Sequence, residues 1–216
     1  MKKKIWILIV LFTVIWIGGF LLSKKEKGSV NTVNNNIANQ EISEKKHEFI
    51  YGKTDGFNSL EELENASECI VRVKKESEDE AVVSRDHGTF GYTMGQVKIQ
   101  DVFLNVLEDE IQKDKIIEIW ENEFPDGDVI CHMAGYEKME IGKEYLLFLR
   151  KSMTDDCFIP LGVTYGKVSV VEEPDSEFIK LHAANMDPNV KTIAVQAREK
   201  YVQWVNYLEK YRKKFP

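Results

Sequence analysis

Hydrophobic and polar positions divide the chain into four stretches. Ile5 to Leu22 (IWILIVLFTVIWIGGFLL) is a run of 18 residues without a charge. As a helix it spans about 27 Å, close to the roughly 30 Å hydrocarbon core, which predicts one transmembrane helix over residues 1–22. Trp6 lies where an interfacial anchor is expected. Residues 23–58 are polar, Asn-rich and without sustained periodicity, which predicts a flexible tether. Residues 59–172 read mainly with the two-residue period of strands, and residues 173–216 return to the helical period.

Within 59–172 the first signal is helical. Ser59 with Glu62 makes a capping-box pattern, and Leu60, Leu63 and Ala66 give a short helix one apolar face. Cys69 to Val73 then reads as a strand, a polar interruption covers Lys74 to Glu80, and Ala81 to Val83 is extended again. The longest strand runs from Tyr92 to Leu104. Val97, Ile99 and Phe103 share one face, while Tyr92 and Met94 fall out of phase with them, so a bulge is expected at Gly95. Lys115 to Trp120 is another strand, and Phe124 to Asp128 has the chemistry of a turn. Tyr145 to Leu149 is apolar on both faces, as in a strand buried on both sides. Cys157 to Leu161, demoted towards an edge by Pro160, and Tyr165 to Val171 complete the set. Five or six strands, one of them long and curved, need a closed or nearly closed sheet to avoid exposed edges.

At the C-terminus, Asp187-Pro188 opens a helix whose stripe includes Val190, Ile193, Ala197, Tyr201, Trp204 and Leu208. Packing against the barrel is the first expectation for that stripe. A partner-binding or membrane-surface helix is the second, since Lys210, Arg212, Lys213 and Lys214 make its tip basic.

Charge changes the picture in one respect. The net charge of −7 conceals six Lys and one Glu in residues 1–27, so the remainder carries −12. An acidic main domain has the wrong sign for phosphate contact, and no nucleic-acid partner is expected. The apolar run is longer than that of a cleaved signal peptide and ends Phe20-Leu21-Leu22-Ser23-Lys24 without a small-residue site, so the anchor is expected to be retained. The short basic tail ahead of it is hard to translocate, which favours a cytoplasmic N-terminus and an extracytoplasmic C-terminal domain.

Three pieces carry a resemblance: SLEELENASECIVRVKKE (59–76), YTMGQVKIQDVFLN (92–105) and EIGKEYLLFL (140–149), the last with Gly142 turning into a strand that holds Tyr145 and Phe148. Their order resembles bacterial membrane-anchored extracytoplasmic proteins with an OB-like barrel, of the netrin and tissue-inhibitor-of-metalloproteinase pattern. The resemblance covers about half the chain. It implies a mainly β fold: a five- to six-stranded OB-like barrel with a short leading helix and a C-terminal amphipathic helix, preceded by one transmembrane helix. It also implies a protein-binding or accessory role. It does not carry over the inhibitor mechanism, which uses a free N-terminal Cys where this chain begins Met1-Lys2.

Candidate chemistry is sparse. Outside the membrane one disulfide is permitted, for which Cys131 and Cys157 would close a loop ahead of the last strands; three buried thiols, Cys69 included, are the alternative. Cys131 beside His132 suggests a thiol and its base, yet neighbours on a strand point to opposite faces. Cys131, His132, Cys157 and His87 lack zinc-ligand spacing, and Asp126-Gly127-Asp128 lacks the rest of a calcium loop. No catalytic residue, metal or cofactor is therefore expected. Trp120 and Phe124, flanking Glu121 and Glu123, are the first aromatic anchors for a binding surface, with Trp204 on the C-terminal helix. The expected function is a membrane-anchored, extracytoplasmic, non-catalytic binding module of the cell envelope that recognises a protein partner. The alternatives are an envelope enzyme using Cys131/His132 or the acidic run Glu76–Glu80, and a structural spacer.

Overall fold

Ser59 caps α1 (Leu60–Ala66): its hydroxyl accepts from the Glu62 amide at 3.2 Å, while the Glu62 carboxylate reaches back to the Asn58 amide at 2.8 Å. One orphan donor at the helix start is thus satisfied as in a capping box, while Glu62 reaches the residue before the cap rather than the cap's own amide. The computed structural model describes residues 45–85, 90–107 and 110–214. The predicted membrane helix, the first part of the tether and His87 lie outside these residues. Among the described residues no helix is long and apolar enough to cross a membrane.

Following α1, the chain alternates inward and outward through β2 (Cys69–Glu78), β3 (Val82–Ser84), β4 (Phe90–Asn105) and β5 (Ile116–Glu121). β8 (Glu144–Lys151) pairs antiparallel with β2, β2 with β4, and β4 with β5. The short β9 (Phe158–Pro160) joins β5 in parallel and returns antiparallel to β8, which closes a ring of five strands. Closure leaves no unpaired edge within the ring. Pro160 therefore does not put its strand at an edge; it stands at the last position of a strand bonded on both sides. β10 (Lys167–Ser169) continues along β8.

β8 explains its own composition. Tyr145, Leu147 and Leu149 enter the barrel interior with Val71, Val73, Val97 and Ile119, whereas Leu146 and Phe148 face an outer core. That outer core holds Leu60 and Leu63 from α1 and Ile193 and Ala197 from α3 (Asn189–Lys214). The C-terminal stripe thus packs on the barrel. Before it, Ser176 caps α2 (Glu177–His182) by accepting from the Ile179 amide at 3.1 Å.

Three further expectations are corrected. The polar interruption read over Lys74 to Glu80 is strand as far as Glu78, because Lys75 continues the inward phase and stays paired with β4. Tyr92 and Met94 face outward, in phase with Gln96 and Lys98, and β4 has no bulge at Gly95; the β2–β4 register instead skips Gln100 and Phe103 on β4 and Glu76 on β2. The out-of-phase residues need no repair because they belong to the outer face. The tether is also shorter than read. Residues 46–50 form β1 (Lys46–Ile50), which lies parallel to β7 (Val129–Met133), itself a hairpin with β6 (Glu123–Asp126). The hairpin turns at Gly127, at φ +62°, within the turn expected over Phe124 to Asp128, although Phe124 to Asp126 are strand paired with β7. Partners of β1 about eighty residues downstream supply its hydrogen bonds, and no local pattern announces such a pairing.

Gly166 sits where β8, β9 and β10 converge. A Cβ there would overlap the Leu161 amide and lie 2.7 Å from both the Phe148 oxygen and the Pro160 carbonyl carbon. These are backbone atoms and cannot swing aside. Gly166→Ala is expected to cost about 2 kcal/mol and to lower Tm by roughly 6 °C, measured by thermal melting. An unchanged Tm would mean that this junction has slack the packing does not show.

Candidate functional site

The inward phase of β2 continues from Cys69, Val71 and Val73 to Lys75, and that of β5 from Ile117 and Ile119 to Glu121. Both charges are fully buried and pair with each other. Gly95 on β4 lies between them, and a Cβ at that position would overlap both the Glu121 carboxylate and the Lys75 ammonium. Glycine is what leaves room for the pair. Glu121 also accepts from the Met139 amide at 2.6 Å and from the Tyr136 hydroxyl at 3.3 Å. Burial and the Glu121 charge push the Tyr136 hydroxyl well above the usual tyrosine range, so it stays a donor.

Next to this pair, Glu123 accepts from the Lys138 amide at 2.9 Å, and burial raises its pKa. His132 is almost fully buried, and desolvation pulls its pKa from 6.5 to about 4. Its Nδ1 lies 2.9 Å from the Tyr136 carbonyl oxygen, which can only accept, so Nδ1 carries the proton. Nε2 then accepts from His47 Nδ1 at 2.7 Å, which ties β1 to β7 through side chains as well as backbone. The Phe178 ring stacks 3.9 Å from His132 and lies 4.6 Å from His182, and Phe49 lies 5.4 Å from His182. β1, β7 and α2 are thus joined by one stack of rings.

Above the Tyr136–Lys138 segment a cleft of about 790 Å³ opens between the barrel and the α2–α3 side. The Lys167 ammonium stands on its floor, donating to the Glu137 carbonyl and lying 4.5 Å from the Tyr136 ring centre and 5.7 Å from that of Tyr145. Burial lowers the Lys167 pKa. The Glu137 carboxylate accepts from the Ser176 hydroxyl at 2.6 Å, which closes one side.

The residues singled out by sequence are dispersed. Trp120 is on the outer face of β5, its ring stacked 3.8 Å from Tyr92 and 6.1 Å from Phe90. With Met94 paired opposite Trp120 and Val82 opposite Tyr92, they form an apolar patch on the outside of β3–β4–β5. Phe90 and Val82 are exposed. Phe124 is corrected from surface anchor to core: it is wholly buried, with its ring filling the space beside Gly91. Trp204 stacks 4.9 Å from Phe103 and packs against the outer core, so it fastens α3 to the barrel.

Cys131 and Cys157 are not joined; all three cysteines are buried free thiols. Burial raises the pKa of each, that of Cys69 to about 12. A protonated thiol is a poor nucleophile, and both ring nitrogens of His132 are engaged elsewhere, so Cys131 and His132 are not a nucleophile–base pair. Among the described residues no three His, Cys, Asp or Glu side chains converge as metal ligands.

Lys75, Glu121 and Lys167 escaped notice because residue type places charge at the surface. Phase was the available signal: Lys75 and Glu121 each continue an inward series on their strands. Nothing local marks Lys167. No protein-family model and no curated protein matches this chain.

Proposed function

We propose that this chain is a membrane-anchored, extracytoplasmic binding module that recognises a protein partner without catalysis. We also read the five-strand ring as an OB-like barrel; its strand order, with one parallel pairing between β5 and β9, supports that assignment. The observation that carries the binding reading is the outward aromatic patch of Trp120, Tyr92 and Phe90 on a sheet held rigid from behind. Phe90 is exposed and Trp120 and Tyr92 are half-buried, and rings fixed on strands offer contact area at little entropic cost.

The patch has an acidic border. The Asp79 amide donates to the Met94 carbonyl at 2.9 Å, which brings the run Glu76 to Glu80 to its edge, and Glu76, Asp79 and Glu80 are exposed. The partner surface is therefore one that presents apolar or aromatic side chains beside lysines or arginines.

A photo-crosslinking residue at position 96, introduced in intact cells, tests this. One envelope protein with such a basic, apolar segment is expected to be captured. Trp120→Ala should weaken its binding about thirtyfold, and Asp79→Asn with Glu80→Gln should reduce both its association rate and its salt dependence. A partner indifferent to both changes would move the interface elsewhere. Full function of the Trp120→Ala protein without any partner would favour a spacer.

A further inference from the structure

We infer that the cleft beside Lys167 is a second binding site, for a compact carboxylate with an apolar or aromatic body, received by the Lys167 ammonium. The site is separate from the aromatic patch on β3–β4–β5, and the inference does not depend on that patch.

The argument begins with charge pairing. A partly buried cation is expected to face a counter-charge, because desolvation is otherwise uncompensated. The other lysines around the cleft all have carboxylates: half-buried Lys138 pairs with Glu78 at 2.6 Å, and at the more exposed rim Lys191 pairs with Asp175 and Lys143 with Glu140 and Glu173 at 2.8 Å each. Lys167 has only a carbonyl oxygen and two ring faces, with no carboxylate in ion-pair reach among the described residues. The acids nearby are committed. Glu121 holds Lys75, the Met139 amide and Tyr136, while Glu123 holds the Lys138 amide and lies 3.4 Å from His132. Glu137 takes the Ser176 hydroxyl. Lys167 itself lines the cleft.

The cleft suits such a ligand in size, and the further acids of its lining, Glu140, Glu172, Glu173 and Asp175, each face a lysine or an arginine. Its volume of about 790 Å³ lies in the range of small-molecule sites. Tyr145 contributes an aromatic wall, and its hydroxyl accepts from the Glu140 amide at 2.9 Å, leaving its own proton to donate. Across from it, α3 presents Val190 and Ala194, apolar cover for the ligand's body. Arg198 on the same helix meets Glu172 at only 3.9 Å and can turn to a second oxygen of a carboxylate. Lys167, Arg198 and the apolar side chains of α3 together suit an acid with a hydrophobic body.

The full chain held in lipid nanodiscs is titrated with phenylbutyrate and with phenylbutyramide, and in a second arm with a short peptide ending in phenylalanine, free or amidated. The free acid is expected to bind about tenfold or more tighter than its amide. The two arms separate the sources: preference for phenylbutyrate indicates a free small acid, and preference for the peptide a protein C-terminus. Lys167→Met should abolish the acid's advantage, and Arg198→Gln, a replacement on the helix surface, should reduce it severalfold with the fold intact. In the wild-type protein, bound acid should shield Lys167 from acylation by acetic anhydride while other lysines react as before. Equal binding of acid and amide, no binding of any probe, or unshielded Lys167 would overturn the inference.

Discussion

Glu121→Ala is expected to cost about 4 kcal/mol, a large share of the stability of a domain of this kind. The substitution leaves the fully buried Lys75 ammonium with only the more distant Glu78 carboxylate at 3.9 Å and removes the acceptor for the Met139 amide and the Tyr136 hydroxyl. Removing one member of a buried pair is far costlier than removing both, because the survivor keeps its desolvation penalty without its partner. Lys75→Met combined with Glu121→Gln is therefore expected to recover more than half of the loss, since glutamine retains an acceptor for the Met139 amide. Urea unfolding followed by tryptophan fluorescence checks both. If the double variant is no more stable than Glu121→Ala, the ion pair is not what the barrel interior depends on.

The second large effect is on acid stability. His132 titrates near 6.5 in an unfolded chain and at about 4 in the fold, so the unfolded state takes up its proton first as pH falls. Its contribution is complete above about pH 6.5 and drains away as pH drops towards 4. The loss reaches about 2 kcal/mol by pH 5 and roughly 3 kcal/mol below pH 4. Glu123, raised by burial, acts with the opposite sign only in the range just above an ordinary glutamate, and so opposes the lower end of this fall. His47, His182 and Lys167 face the ring and oppose its protonation. The prediction is a falling urea midpoint between pH 7 and pH 5 in the wild-type protein and a much flatter one in His132→Gln. Parallel pH profiles for the two would exclude His132 as the cause. Since His132 also holds His47, protection of the β1 amides from hydrogen exchange is expected to fall first.

Strand phase carried much of the fold into view before any coordinates. Tyr145 to Leu149, apolar at every position, fits only a strand covered on both faces, and β8 is covered by barrel interior on one side and by α1 and α3 on the other. Ser59 and Glu62 marked the start of α1, and Gly127 the β6–β7 turn, because capping and left-handed turns are set by residues a few positions apart. The same phase would have revealed Lys75 and Glu121 as inward residues had their charge not argued for the surface. Phe124 was misplaced for the converse reason: a ring beside two acids reads as surface when the acids are in fact buried with it.

By itself the sequence determined the central strands of the barrel, the leading and C-terminal helices and their apolar faces, since each depends on contacts within a few residues. Only the tertiary structure decided that β9 closes the ring between β5 and β8, that β1 adds to β7 rather than remaining tether, and that His47 meets His132. It alone left Lys167 beside a cleft without an ionic partner among the described residues. Those outcomes depend on pairs far apart in the chain, where steric fit and the cost of desolvating charge select one partner among many and no local pattern records the choice.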